Sequence, residues 1–128
     1  MQAIRVHTTG GPEVLSYETL PVPEPGPDQV RIKVAATGLN YIETYQRSGL
    51  YQLPLPFIPG SEFAGTIDAP GAGVTGWAPG ERVATASGIG GYAEYALAPA
   101  AKLVRVPDTI DLKLAAAVML QGCTAHYL

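Results

Sequence analysis

The side chains best able to do chemistry crowd into one stretch of the chain: Asn40, Tyr41, Glu43, Tyr45, Arg47 and Tyr51, followed by Ser61 and Glu62. Asn40, Glu43 and Arg47 recur at i, i+3 and i+7, so in a helix they share one face. Tyr41 and Tyr45 lie four apart and share a neighbouring face. Two readings stand side by side. One is a surface helix with Asn40 as its N-cap and a Glu43–Arg47 ion pair. The other is the polar and aromatic edge of a pocket. Each tyrosine likewise reads either as core packing with a satisfied hydroxyl or as pocket wall. Glu62 sits in "FIPGSEFAG", between two glycines, where an irregular segment turns into a strand. A carboxylate there can be a metal ligand, a catalytic acid or base, or a buried hydrogen-bond anchor.

These residues need elements to position them. Gln2 to Thr8 and Val14 to Leu20 are β-branched and aromatic, and "TGGPE" between them predicts a hairpin. "PVPEPGPD" forces an extended connection, since each proline removes a donor and biases the preceding residue away from helix. In "QVRIKVAATG", Val30, Ile32 and Val34 alternate with Arg31 and Lys33, the pattern of a half-buried strand. "NYIETYQRSG" can make a short helix stopped by Gly49. Further strands are predicted at Glu62 to Asp68, Glu81 to Ala86, Tyr92 to Leu97 and Lys102 to Val106, punctuated by Gly and Pro as in an all-β barrel. Asp111 can cap a helix through "LKLAAAVML". Gly122 then reads as an interruption, with "CTAHYL" opening another helix. That last helix carries no stop signal, so the chain is expected to be the front portion of a longer protein.

Composition narrows the classes. At 128 residues, 47% hydrophobic and 15% charged, the chain is long and apolar enough for one folded, core-bearing domain. A net charge of -3 with scattered Lys and Arg gives no electrostatic support for nucleic acid or anionic lipid. No apolar run approaches a membrane span and no signal-peptide layout opens the chain, so the expectation is a cytoplasmic protein. The single cysteine, Cys123, excludes an internal disulfide and reads as a small packing residue. "GAGVTG", Gly71 to Gly76, matches the letters of a dinucleotide fingerprint. Yet "WAPGERV" follows it, and Pro79 and Gly80 would break the helix that must open there to hold a pyrophosphate. A turn between strands is the expectation, and a loop likewise for "GIGG".

Taken in order, "GGPEVL", "VAATGLNYIETYQRSGLY", "PFIPGSEFAGTI" and "GAGVTGWAPGERV" resemble the amino-terminal part of the medium-chain dehydrogenase/reductase superfamily. The likeness is strongest to its zinc-independent quinone oxidoreductases, the branch that includes zeta-crystallin. The resemblance implies a mainly β fold with short helices: a GroES-like, partly open β-barrel over residues 1–110, with 111–128 starting the domain-crossing helices. The Rossmann unit that would grip cofactor phosphates is not expected within these residues. In the zinc-dependent members, ligands fall at positions corresponding to Asn40, Ser61 and Leu120. None of these is a credible zinc donor set, and His7 and His126 are too isolated to replace it. No zinc is therefore expected, and Glu62 becomes a structural carboxylate or one that hydrogen-bonds close to the pocket.

What the resemblance implies of function is hydride transfer from NADPH to a quinone or another small electrophilic acceptor. A quinone accepts hydride readily, so positioning and donors to the developing oxyanion can replace a Lewis acid. Tyr45 and Tyr51 are the candidate catalytic residues, without an assigned acid or base role. Asn40, Tyr41, Ile42, Tyr45, Thr124 and Tyr127 are the candidate cofactor contacts. A homodimer is expected, with no nucleic-acid or membrane partner, and residues 1–128 alone are expected to be inactive. Reduction of enones or enoyl thioesters stays open, as does a non-catalytic GroES-like structural module.

Overall fold

The alternating segment becomes the centre of the sheet. In the computed structural model, which describes all 128 residues, strand β3 (Gln29–Thr37) buries Val30 and Ile32 completely. β3 pairs antiparallel with β4 (Phe63–Pro70) on one side and β6 (Tyr95–Pro99) on the other. β5 (Arg82–Thr85) extends the sheet from β4, and the two-residue β7 (Val104–Arg105) extends it from β5. The order is thus β6-β3-β4-β5-β7, and the sheet does not close into a barrel. β1 (Gln2–Val6) and β2 (Leu15–Thr19) form a separate hairpin, with the expected connection wound into a 3₁₀ turn at Pro12–Val14. The mainly β, open architecture is the one the motifs imply.

Two predicted strands are displaced, each for a backbone reason. The segment expected at Tyr92 to Leu97 enters the sheet only at Tyr95. The Tyr92 N–H donates to Pro59 O at 2.9 Å and the Glu94 N–H to Gln2 O at 3.1 Å, so these amides serve the loop and the hairpin instead. The segment expected at Lys102 to Val106 shrinks because Ala100–Lys102 turn as a 3₁₀ helix. The rejected fingerprint is indeed a turn: no helix opens after Gly76.

Helix α1 (Tyr41–Ser48) begins and ends as its residues dictate. Asn40 is the extended N-cap, and Glu43 Oε2 accepts from its backbone N–H at 2.7 Å. Gly49, at φ +86°, ends the helix in the left-handed conformation that glycine adopts at least cost. Helix α2 (Leu112–Tyr127) is capped by Asp111, whose Oδ1 accepts from the Lys113 N–H at 2.7 Å. It runs unbroken through Gly122, correcting the expected interruption and the second helix. One interior glycine costs only about 1 kcal/mol relative to alanine, and the alanine-rich turns on either side outweigh it.

The sheet has two unlike faces. One carries the large residues Val30, Ile32, Phe63, Ile67 and Val83. The other is built from Ala64, Ala84 and Val106, against which α2 sets Ala115 and Ala116. Small residues on both sides let helix and sheet approach closely. The second half of α2 leaves this contact, and everything from Gln121 onward is exposed. Cys123 is therefore an exposed thiol and not the packing residue expected.

Candidate functional site

Glu62 is completely buried at the entry to β4, and both of its carboxylate oxygens are taken. Oε1 accepts from Asn40 Nδ2 at 2.9 Å. Oε2 accepts from the backbone N–H of Leu120, inside α2. The Glu62 carbonyl is held as well, by the Gly38 N–H at 2.8 Å and the Thr37 hydroxyl at 3.0 Å. One side chain thus ties the start of α1, the end of β3 and the middle of α2 together. Of the three roles open to it, this geometry is that of the buried anchor. Gly38 makes it possible, because a Cβ there would overlap Glu62 Oε1.

Glu43 is the second buried carboxylate, which corrects the picture of a surface helix with a Glu43–Arg47 pair. Glu43 points inward, and the Arg47 guanidinium Nε reaches Gly10 O at 3.3 Å instead. The helical face was read rightly, but burial claimed its carboxylate for the N-cap. Glu43 Oε1 and the Tyr92 hydroxyl are both buried without a partner. Burial, and then the charge of Glu43, push the Tyr92 phenol up to about 12. Tyr92 escaped notice in the sequence, where "GGYAEY" reads as the start of a strand.

The sign of the resulting pH dependence follows from which state holds the proton. Unfolded Tyr92 ionises near the ordinary tyrosine value of about 10, whereas the folded residue keeps its proton to about 12. In that window the unfolded state binds fewer protons, so this contribution to stability is full below the lower value and falls as pH rises through the window. Thermal melts should therefore show a steeper alkaline loss for wild type than for Tyr92→Phe. Parallel profiles would remove Tyr92 as the cause.

The remaining predicted residues divide into two groups. Tyr41, Tyr45 and Tyr51 form a continuous array, with ring centroids 6.3 Å apart for Tyr41–Tyr45 and 5.4 Å for the edge-on Tyr45–Tyr51 pair. All three are exposed to solvent, so none is the core packing residue of the plainer reading. The Tyr51 N–H donates to Tyr45 O at 3.1 Å, which holds the post-helix turn against the array. Asn40 is half-buried beside it and Ile42 follows in the first turn of α1. Thr124 and Tyr127 lie on the exposed end of α2. The Thr124 hydroxyl donates to Leu120 O at 2.7 Å, and Tyr127 is 87% exposed and outside the ring array. Glu62 links the two groups, through Asn40 on one side and Leu120 on the other. No three His, Cys, Asp or Glu side chains gather as a metal would require.

Residues 26–108 match the family model of the alcohol dehydrogenase GroES-like domain. The chain belongs to this family. Within it, the chain is 52% identical over 121 residues to a quinone oxidoreductase of Pseudomonas aeruginosa, covering 93% of this chain and 37% of that protein. It superposes with a TM-score of 0.94 on the crystal structure of Escherichia coli quinone oxidoreductase complexed with NADPH, at 36% identity. That match covers 99% of this chain and 40% of the other. A 2-haloacrylate reductase of a Burkholderia species is 40% identical over all of this chain and 40% of its own length. This GroES-like chain therefore spans about two-fifths of the relatives it matches. Its α2 is not long and apolar enough to cross a membrane, nor is any other helix.

Proposed function

We propose that the chain is the catalytic-domain portion of a zinc-independent, NADPH-dependent quinone reductase. Residues 1–110 would be the GroES-like catalytic domain and 111–128 the start of the domain-crossing helices, with the whole protein a homodimer. The observation that carries this reading is the exposed Tyr41–Tyr45–Tyr51 array beside a carboxylate whose two oxygens are already committed. Such a site offers flat apolar surface and hydroxyls. The three positions at which zinc ligands were sought hold an amide, a hydroxyl and a leucine, which suits chemistry without a metal.

The residues present fit the nicotinamide end of the cofactor. A flat ring bearing a carboxamide would suit the exposed aromatic rings and the Asn40 amide beside them. When bound, NADPH supplies a hydride to the acceptor. The chain's own residues would orient that encounter, with Tyr41, Tyr45 and Ile42 on α1 and Thr124 and Tyr127 on α2 as the proposed contacts. The Tyr45 hydroxyl holds a proton beside the acceptor oxygen where negative charge develops, and Tyr51 braces the Tyr45 ring edge-on. No glycine-rich turn opens a helix among these residues, so this chain alone is expected to bind NADPH weakly and to turn over no quinone.

The whole protein should oxidise NADPH when given a quinone. Tyr45→Phe should lower its kcat/KM about tenfold or more while leaving NADPH affinity nearly unchanged. Unaltered kinetics would take Tyr45 off the list of reacting groups. The similarity to 2-haloacrylate reductase favours a second reading, in which the acceptor is an electron-poor alkene. The same assay with an enone or acrylate in place of quinone decides between them.

A further inference from the structure

We propose that the cavity adjoining the tyrosine array is a channel for the hydrocarbon tail of the acceptor, whose reacting head lies at Tyr45 and Tyr51. The proposal rests on the quinone-reductase reading above and names the kind of quinone that site takes. The cavity has a volume of about 660 Å³, large enough for a chain of many carbons, and it lies within the range of about 300–1,000 Å³ typical of ligand pockets.

The tyrosines do not themselves line it, but three of its lining residues neighbour the candidate site along the chain. Gln46 follows Tyr45, Ser61 precedes the buried Glu62, and Leu53 lies two residues past Tyr51. From there the cavity runs to the base of the β1–β2 hairpin and the Leu20–Pro23 connection. Ile89 and Leu97 line its open side, and their backbones exchange two hydrogen bonds of 2.7 and 3.1 Å. The walls are apolar and stiff: nine of the nineteen lining residues are hydrophobic, and four more are prolines. No carboxylate lines it. The one formally charged side chain on the wall, Arg5, already faces Glu18 at 3.9 Å. The only other charge is the Met1 ammonium, which already donates to Leu20 O at 2.7 Å, whereas each methylene moved from water to such a wall tightens binding by roughly threefold to fourfold.

The test uses the whole protein, NADPH and two acceptors with the same head, 2-methyl- and 2-decyl-1,4-benzoquinone. The decyl compound should show a KM at least tenfold lower. Ile89→Asp changes an exposed loop side chain, so folding is expected to survive. It should raise the decyl KM at least tenfold and leave kcat and the methyl KM within twofold. Equal KM values for the two acceptors, or an equal effect of the variant on both, would overturn the proposal. If neither quinone is reduced, the reaction assignment fails on its own, and the cavity is then read by titrating the same protein with decan-1-ol. Amide shifts at Ile89 and Leu97 that vanish in Ile89→Asp would uphold the channel; shifts elsewhere, or none, would refute it.

Discussion

Replacing Glu62 with alanine should cost the fold about 3–5 kcal/mol, since two hydrogen bonds to a buried carboxylate are worth roughly 1.5–3 kcal/mol each. The loss is large because both partners stay behind. Half-buried Asn40 Nδ2 would lose its acceptor, and the Leu120 N–H would lose its charged one and keep only what α2 itself provides. The cavity left by the side chain adds to this. Glu62→Gln keeps the shape but turns an NH2 toward one of two donors, so it should cost less than alanine and more than a surface substitution. Urea unfolding of the three proteins measures the order. An alanine variant within about 1 kcal/mol of wild type would show that the carboxylate does not anchor α1 to α2.

Gly38→Ala is expected to destabilise by about 2–3 kcal/mol, at the upper end of ordinary overpacking. The cause is steric and specific. Gly38 does not have a positive φ, so alanine meets no backbone strain there. Its Cβ would overlap Glu62 Oε1 and crowd the rest of the carboxyl group. The same substitution made in the Glu62→Ala background should therefore cost about 1 kcal/mol or less, a coupling of the size seen between residues in contact. Denaturation of the two single variants and the double variant closes the cycle. Equal costs in both backgrounds would mean that Gly38 is needed by the backbone alone.

Much of this arrangement could be read from local chemistry. The Val30–Ile32–Val34 alternation located the central strand, Asn40 and Gly49 bracketed α1, and Asp111 marked the start of α2. Pro79 and Gly80 sufficed to dismiss the nucleotide fingerprint. The errors came where a distant partner decides. Glu43 and Arg47 have the spacing of a surface pair, but the packing of α1 onto the domain buries the first and gives the second a carbonyl at Gly10. Tyr92 to Glu94 have strand-like composition, yet the amides of Tyr92 and Glu94 are claimed by Pro59 and the hairpin. Cys123 looked small and apolar, but α2 has already left the sheet when it reaches it. The candidate site was half legible. Tyrosines four apart announce one face, whereas the link from Asn40 through Glu62 to a main-chain amide 58 residues away leaves no spacing to find.

We propose that an aromatic array anchored by a buried carboxylate takes the place of a metal ion in this site. The most direct measurement is the rate of NADPH oxidation by a quinone, followed by nicotinamide absorbance in whole protein exhaustively chelated and shown by elemental analysis to hold no stoichiometric zinc. The account predicts an unchanged rate after chelation and no increase on adding zinc. A rate abolished by the chelator and restored by zinc would contradict it.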